Sequence, residues 1–407
     1  MQFDLTAMNP VLKELIDNQI VQDTTYKDNV LYAMLKKNPN MGGKYTPQPI
    51  KIGNGQGRSA SYAAATSNQT ASVYKEFLLN PYKDYSIATI DRLTMLAANS
   101  DKKTFVQALK DARDGALQVL KNSLGSSVYR SGTGTIGAIS TITAGVIQLA
   151  DITTSVQFEI NQTLQFATAD GASPVAALGY VTNISRALGQ ITVSATALGG
   201  SAGTPTGWVG GGVGVLINNG DSNAKFQGLA AWLPFTDPTP GALFNNIDRS
   251  VDRIRLAGVA YDGSQQSLEE AVQDGLNAVD TLGDGSTDII VMNPYSFTNF
   301  RKSLGSKVQY VDMQATPTVG FRGIEIDAPR GTVKVFSDRN CPAQTAYALQ
   351  MDTWQLWSVG EAPALVEDDG LIMRRVSGQD SFYFELAAYL NLGCNAPGKN
   401  GIFKLSA

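Results

Sequence analysis

The chain has 407 residues, enough for two or three separate cores, with 43% hydrophobic and only 17% charged residues, 40 glycines and a net charge of -4. So little charge leaves much of the surface neutral, in small-residue loops or buried in an assembly. The acidic balance, with a pI near 5.1, excludes binding of nucleic acid through a block of Lys and Arg. Histidine is absent, which removes Ser-His-Asp and Cys-His catalysis and every His-bearing zinc or iron site.

Met1-Gln2-Phe3-Asp4-Leu5 shows no basic region followed by an apolar run, and no eighteen consecutive apolar residues occur, so neither secretion nor membrane spanning is expected. Within 1–44, Val11, Leu12, Leu15 and Ile16 form one short helical face and Val30, Leu31, Met34 and Leu35 a second, followed by the breaker cluster Asn38-Pro39-Asn40-Met41-Gly42-Gly43. A segment this short cannot bury two faces by itself. It reads as an arm lying along the main body or along a neighbour.

Residues 45–92 read as extended chain: Ile50 and Ile52 alternate with Lys51 on the way out, and Val73, Phe77, Ile87 and Ile90 punctuate the return. Between them lies Gly53-Asn54-Gly55-Gln56-Gly57-Arg58-Ser59-Ala60-Ser61, poor in large side chains. A long hairpin whose tip cannot pack on itself and a flexible linker fit this composition equally. The GxGxG spacing does not match a dinucleotide fingerprint.

The next element is a long amphipathic helix over 101–124. Phe105, Val106, Leu109, Ala112, Ala116, Leu117, Leu120 and Leu124 form its apolar stripe, Lys103, Lys110, Asp111, Asp114, Gln118 and Lys121 its wet face, and Gly125 its stop. At about 36 Å it is long enough to act as a spine. Gly115 in its middle costs roughly 1 kcal/mol relative to Ala. Either a hinge or close packing against a strand accounts for it.

Residues 131–225 hold six charges in all, Asp151, Glu159, Asp170, Arg186, Asp221 and Lys225. Alternation at Val156, Phe158 and Ile160, at Leu164 and Phe166 and at Ile191 and Val193, between Gly-rich turns, predicts an inserted all-β, barrel-like domain. The tract Gly207-Trp208-Val209-Gly210-Gly211-Gly212-Val213-Gly214 lacks the Lys-Ser/Thr of a phosphate loop and reads as a turn-rich return strand.

From 226 to 305 the pattern is α/β. Ser267 and Glu270 make a capping box ahead of Leu268, Val272, Leu276 and Val279, and Asp288-Ile289-Ile290-Val291-Met292 is a buried strand stopped by Asn293-Pro294. A short helix through Phe297, Phe300 and Leu304 follows. Residues 306–407 are mostly strands, at 333–336, 346–349, 354–359, 371–376 and 382–392, packing a sheet on the long helix in an α+β fold. Glu367-Asp368-Asp369-Gly370 is the densest carboxylate group, but Asp-Gly is a favoured turn pair and adjacent acids diverge. Cys341 and Cys394 have no zinc-ligand spacing and fit a reduced cytosolic origin. We assign no catalytic, metal or cofactor-binding residue and expect no enzyme.

This order of parts, with Ile290-Val291-Met292-Asn293-Pro294 in the α/β lobe and the closing run from Gly370-Leu371-Ile372-Met373-Arg374-Arg375 through Phe382-Tyr383-Phe384-Glu385 to Gly393-Cys394-Asn395-Ala396-Pro397, resembles the major capsid proteins of tailed bacteriophages. The resemblance covers about three quarters of the chain, leaving out 131–225. It implies the Hong Kong 97-type fold: N-terminal arm 1–44, extended E-loop 45–92, P-domain 93–130 with the spine helix and 306–407, A-domain 226–305, and an inserted β domain at 131–225.

The resemblance further implies self-assembly into hexamers and pentamers of an icosahedral head. The partners implied are scaffolding, portal and decoration proteins and packaged double-stranded DNA bound without sequence specificity, with no membrane. Inter-subunit candidates in the loop are Lys51, Gly53, Gly55, Gly57, Arg58, Lys75 and Glu76, and Gly115 is the hinge candidate. Some relatives cross-link a loop lysine; no motif here matches, and that chemistry is not carried over to Lys51 or Lys75. A nanocompartment shell of the same fold is the nearest rival, and a β-rich adhesin or tail protein comes from a different class.

Overall fold

A computed structural model describes residues 29–92, 102–209, 214–305, 309–316, 319–367 and 372–406, with the backbone alone at 102–109, 309–316 and 319–322. The expected helical face at Val11 to Ile16, the run Asp368-Asp369-Gly370 and the four residues 210–213 of the glycine tract lie outside the described residues.

The long helix is Lys102–Ser127. Ala116, Leu117, Leu120 and Leu124 are buried on one side and Lys110, Asp111, Asp114 and Gln118 exposed on the other, as the periodicity requires. Two expectations fail. Gly125 is no stop, because the helix runs through it: a Cβ there would lie 2.6 Å from Cγ of Asn29, so glycine serves close packing. Lys121 does not sit on the wet face but is 5% exposed, its ammonium donating to Oε1 of Gln118 at 3.3 Å while its stem lines the core.

This helix packs on a six-stranded sheet whose central strand, Ser381–Cys394, pairs with Tyr82–Asp91 on one side and Trp354–Ser358 on the other. The short helix Val30–Met34 and strand Lys36–Asn38 close the same core, with Leu31, Tyr32 and Leu35 buried, so this part of the arm belongs to its own subunit's body. Strand Tyr82–Asp91 leaves the predicted hairpin altogether. Ile90 is buried in the core, and the whole strand is claimed by Ser381–Cys394 over ten paired residues.

A second, seven-stranded mixed sheet runs in the order Val259–Asp262, Gly401–Lys404, Thr345–Leu349, Ile289–Met292, Gly331–Ser337, Val319–Ala328, Gln309–Thr316. Ile289, Ile290, Val291 and Met292 are buried on both faces, which explains their unbroken apolar run. Helix Leu268–Gly283 starts with the full capping box of Ser267 and Glu270, and Asn293 caps Pro294–Leu304 with proline in its first turn. The final strand Gly401–Lys404 was not foreseen. It is four residues long and takes its place between two neighbours distant in sequence, so the expected division at 305/306 runs through this sheet. Of the strand expected at 371–376, only Arg374–Arg375 pairs among the described residues.

Between the long helix and the second sheet the chain makes a closed six-stranded barrel, from Thr135–Thr143 to Val215–Asn218. Ile139, Ile147, Leu149, Leu164, Phe166, Val181, Ile191 and Val193 fill it, and the Trp208 ring stacks on Phe166 at 5.9 Å. The alternation at Val156, Phe158 and Ile160 is not a strand. Asp151 accepts from the Thr153 N–H at 2.8 Å and starts a 3₁₀ turn, Ile152–Gln157, a local bond that wins over the pattern. The barrel's two ends meet, with Leu229 N–H donating to Val128 C=O at 2.7 Å.

Candidate inter-subunit surface

The hairpin consists of Thr46–Gly53 paired with Val73–Leu79. Its root is fixed by burial: Ile50, Phe77 and Leu79 enter the core, and Phe77 meets Trp232 edge-on at 4.9 Å and Phe244 at 6.1 Å. The Arg249 guanidinium lies 3.9 Å over Phe244 and donates to the Ala231 carbonyl at 2.7 Å; burial pulls its pKa down to about 10.

Beyond this root no residue from 53 to 76 is buried by the chain's own body. Tyr62 is 89% exposed, Tyr74 64% and Val73 51%, and helix Tyr62–Ser67 at the tip has no buried residue. The tip is nevertheless ordered by its own polar groups, which decides against the flexible linker. Gly55 N–H donates to Ser72 Oγ and Gln56 N–H to Thr70 Oγ1, each at 3.0 Å, and Thr70 N–H returns to Gln56 C=O at 2.9 Å. Gly55 permits this approach, since a Cβ there would stand 2.7 Å from the Thr70 carbonyl oxygen. Gly53 and Gly57 have looser surroundings, 3.6 Å from Val73 and 3.3 Å from Gln69.

Register places Lys51 opposite Tyr74, whose ring its ammonium overlies at 5.8 Å, and Lys75 opposite Ile50. The two lysines therefore occupy opposite faces and are not brought together. Lys51, Arg58, Lys75 and Glu76 are all exposed. Gly115 is exposed too, and an added Cβ would meet nothing within 4 Å, which removes close packing as its explanation.

Two buried polar clusters escaped the sequence reading. In the first, Lys225 at the barrel exit donates to Asp84 of the sheet at 2.7 Å and to Ser123 of the long helix at 2.9 Å, and pairs with Asp221 at 3.2 Å. Burial opposes the Lys225 charge, but Asp84 and Asp221 outweigh it and raise the lysine pKa; burial pushes the Asp221 carboxyl up. The cluster ties barrel, helix and sheet at one wall of a cleft of about 350 Å³. Its one visible signal was the i, i+4 pair Asp221 and Lys225 in a stretch nearly devoid of charge.

In the second cluster, buried Asp338 accepts from Tyr129 OH at 2.9 Å and from the Asn340 N–H at 2.9 Å. Asn340 Nδ2 donates to Asn29 Oδ1 at 2.7 Å, and Asn29 Nδ2 to the Lys121 carbonyl at 3.3 Å. Burial raises the Asp338 pKa against these donors. The network fastens the start of the described chain to the end of the long helix. Among the described residues no group of three or more Cys, Asp or Glu is placed to hold a metal ion, and no helix is long and apolar enough to cross a membrane.

No family model matches the chain, and no curated protein matches it. Among solved structures it is similar to the cyanophage A-1(L) capsid asymmetric unit, at 14% identity over 92% of both chains and a TM-score of 0.54. It overlaps less well with the capsid of the native GTA particle, at 10% identity over 94% of this chain and 91% of that one with a TM-score of 0.48. With the SrpI encapsulin complex from Synechococcus elongatus PCC 7942 the identity is 8% over 99% and 95%, with a TM-score of 0.40. The last two overlaps carry no argument. The first shows the fold: this mixed helix and sheet chain, with its closed barrel, is folded as a phage capsid protein is.

Proposed function

We propose that the chain is the major capsid protein of a tailed bacteriophage, which self-assembles into hexamers and pentamers of an icosahedral head enclosing double-stranded DNA. One observation carries this reading beyond the fold: a hairpin anchored at its root by Phe77, Trp232 and Phe244 holds out an ordered tip that its own subunit does not cover. Such a limb gains stability by lying across an identical copy, and closed symmetry repeats the contact without leaving open edges.

In Hong Kong 97 terms the hairpin within 45–92 is the E-loop, and the long helix with the six-stranded sheet is the P-domain. The seven-stranded sheet with its two helices is the A-domain, and the barrel within 131–225 is an insertion. Residues 1–44 supply the arm. The role is structural and needs no cofactor; scaffolding, portal and decoration proteins are the expected partners, and the mature location is the virion. The uncovered hairpin tip supports Lys51, Gly53, Gly55, Gly57, Arg58, Lys75 and Glu76 as inter-subunit residues, and the open space around Gly115 supports the hinge.

The test is a loop-shortened variant in which residues 54–72 are replaced by a two-residue turn. Wild type should sediment as large particles and the variant as a folded small species. A variant that forms particles as wild type does overturns the reading.

A further inference from the structure

We propose that Lys51 and Arg58, exposed cations of the hairpin, dock on the acidic helix Leu268–Gly283 of a second copy, so that copies join head to tail through opposite charge. The inference rests on the reading of the chain as a shell subunit and names the two surfaces that meet.

The root of the hairpin is closed to strand addition by a neighbour. The Leu78 N–H is spent on the Asn245 carbonyl outside the hairpin at 3.0 Å, so the pair Pro47 and Leu78 points its backbone nitrogens outward. Two residues on, Pro49 points the same way, and both prolines are exposed. Proline has no N–H, so the outer edge of Thr46–Gly53 lacks two of the donors that strand pairing needs, at 47 and 49. The Ile52 carbonyl at the bulge is taken by Arg255, and at Leu78 the other edge is taken by the Asn245 carbonyl. At the root a partner must therefore engage side chains.

Those side chains are basic. Segment 44–76 holds Lys44, Lys51, Arg58 and Lys75 against Glu76 alone, in a chain whose net charge is -4. All four cations are exposed, and none has an ion pair among the described residues, but Lys75 lies on the face opposite Lys51 and near the Asp248 charge of its own chain, which leaves Lys51 and Arg58 for a partner. Residues 256–300 are the opposite: Asp262, Glu269, Glu270, Asp274, Asp280, Asp284 and Asp288, with no Lys or Arg. Arg330 pairs with Asp280 and Asp284, but Glu269, Glu270 and Asp274 have no cation among the described residues.

The apolar side of that helix, Ala271, Val272, Leu276 and Val279, is already buried, and Glu270 and Asp274 are exposed. Some acids elsewhere are answered within the chain, Asp84 and Asp221 by Lys225 and Asp380 by Arg92 and Arg375. Hairpin and helix thus carry charge of opposite sign left over after folding. Being different surfaces, they form a heterologous contact, the kind that closes rings.

The experiment compares particle yield of the full chain at low and high salt for wild type, Lys51→Glu/Arg58→Glu, Glu269→Lys/Asp274→Lys, and all four changes together. Glu270 is kept because it closes the helix cap, and circular dichroism melts confirm that each variant folds. Each reversed set alone should lower the yield about tenfold, the combined variant should recover most of it, and about 0.5 M NaCl should weaken wild-type assembly.

The proposal is overturned if the hairpin variant assembles as wild type does, or if the combined variant, though folded, does no better than the hairpin variant. It is also overturned if the hairpin changes abolish retention of a double-stranded DNA fragment while assembly is untouched, which would assign the cations to DNA. Wild type that forms no particle at any salt ends the shell reading as well, whereas particles indifferent to charge reversal end only this inference.

Discussion

Two glycines ten residues apart on one helix should respond to alanine with opposite signs. Gly115 sits well inside Lys102–Ser127, is exposed, and leaves open space where a Cβ would go. Gly115→Ala therefore gains the helix-interior difference of about 1 kcal/mol with nothing to offset it. At Gly125 the new Cβ would stand 2.8 Å from Nδ2 of Asn29, which must move. That displaces the amide which donates to the Lys121 carbonyl at 3.3 Å and accepts from Asn340 at 2.7 Å, so Gly125→Ala should lose about 2 kcal/mol.

Urea unfolding of the unassembled subunit, followed by circular dichroism, should separate the two variants by about 3 kcal/mol. A destabilised Gly115→Ala, or a Gly125→Ala as stable as wild type, refutes the reasoning from local space. If Gly115 is a hinge, the stabilised variant should also slow expansion of assembled particles. Unchanged expansion alongside a raised subunit stability ends the hinge.

Lys225→Met leaves Asp84 and Asp221 facing each other without their cation, and should cost about 3 kcal/mol in a thermal melt. Because the folded Lys225 pKa lies above its unfolded value, that contribution is whole at neutral pH and fades only as pH rises past about 10.5; a deficit that shrinks already near neutrality contradicts it. Asp338→Asn turns an amide toward one of three donors, Tyr129 OH, the Asn340 N–H and the Leu31 N–H, and should cost about 1–3 kcal/mol at neutral pH. The Asp338 pKa is raised on folding, so acidification from neutrality toward the ordinary Asp value should stabilise wild type relative to this variant; urea midpoints at two pH values read the sign. Gly55→Val forces a side chain onto the Thr70 carbonyl and should disturb the tip, lowering particle yield while the subunit melt stays within about 1 kcal/mol of wild type.

Elements whose signal is local were legible in the sequence. The capping box at Ser267 and Glu270, the Asn293-Pro294 start, the buried run Ile289 to Met292 and the apolar stripe of the long helix each follow from neighbours within a turn or two. What failed was decided at long range. Gly125 reads as a stop until Asn29 is laid against it, and Lys121 reads as wet until the core closes over its stem. Strand Tyr82–Asp91 looked like the return limb of the hairpin because its partner begins at Ser381. The candidate surface was half legible: the glycines and charges of the tip stand out in the sequence, but the bonds that order it, from Gly55 to Ser72 and from Gln56 to Thr70, depend on which hydroxyls face each other once the strands pair. Tyr62 and Tyr74, the largest uncovered side chains there, gave no sign of exposure.

The most direct measurement is negative-stain imaging of the purified full chain at low salt. The account predicts closed hollow particles of uniform size. A field of compact single molecules, stably folded and with the hairpin protected from proteolysis, contradicts it.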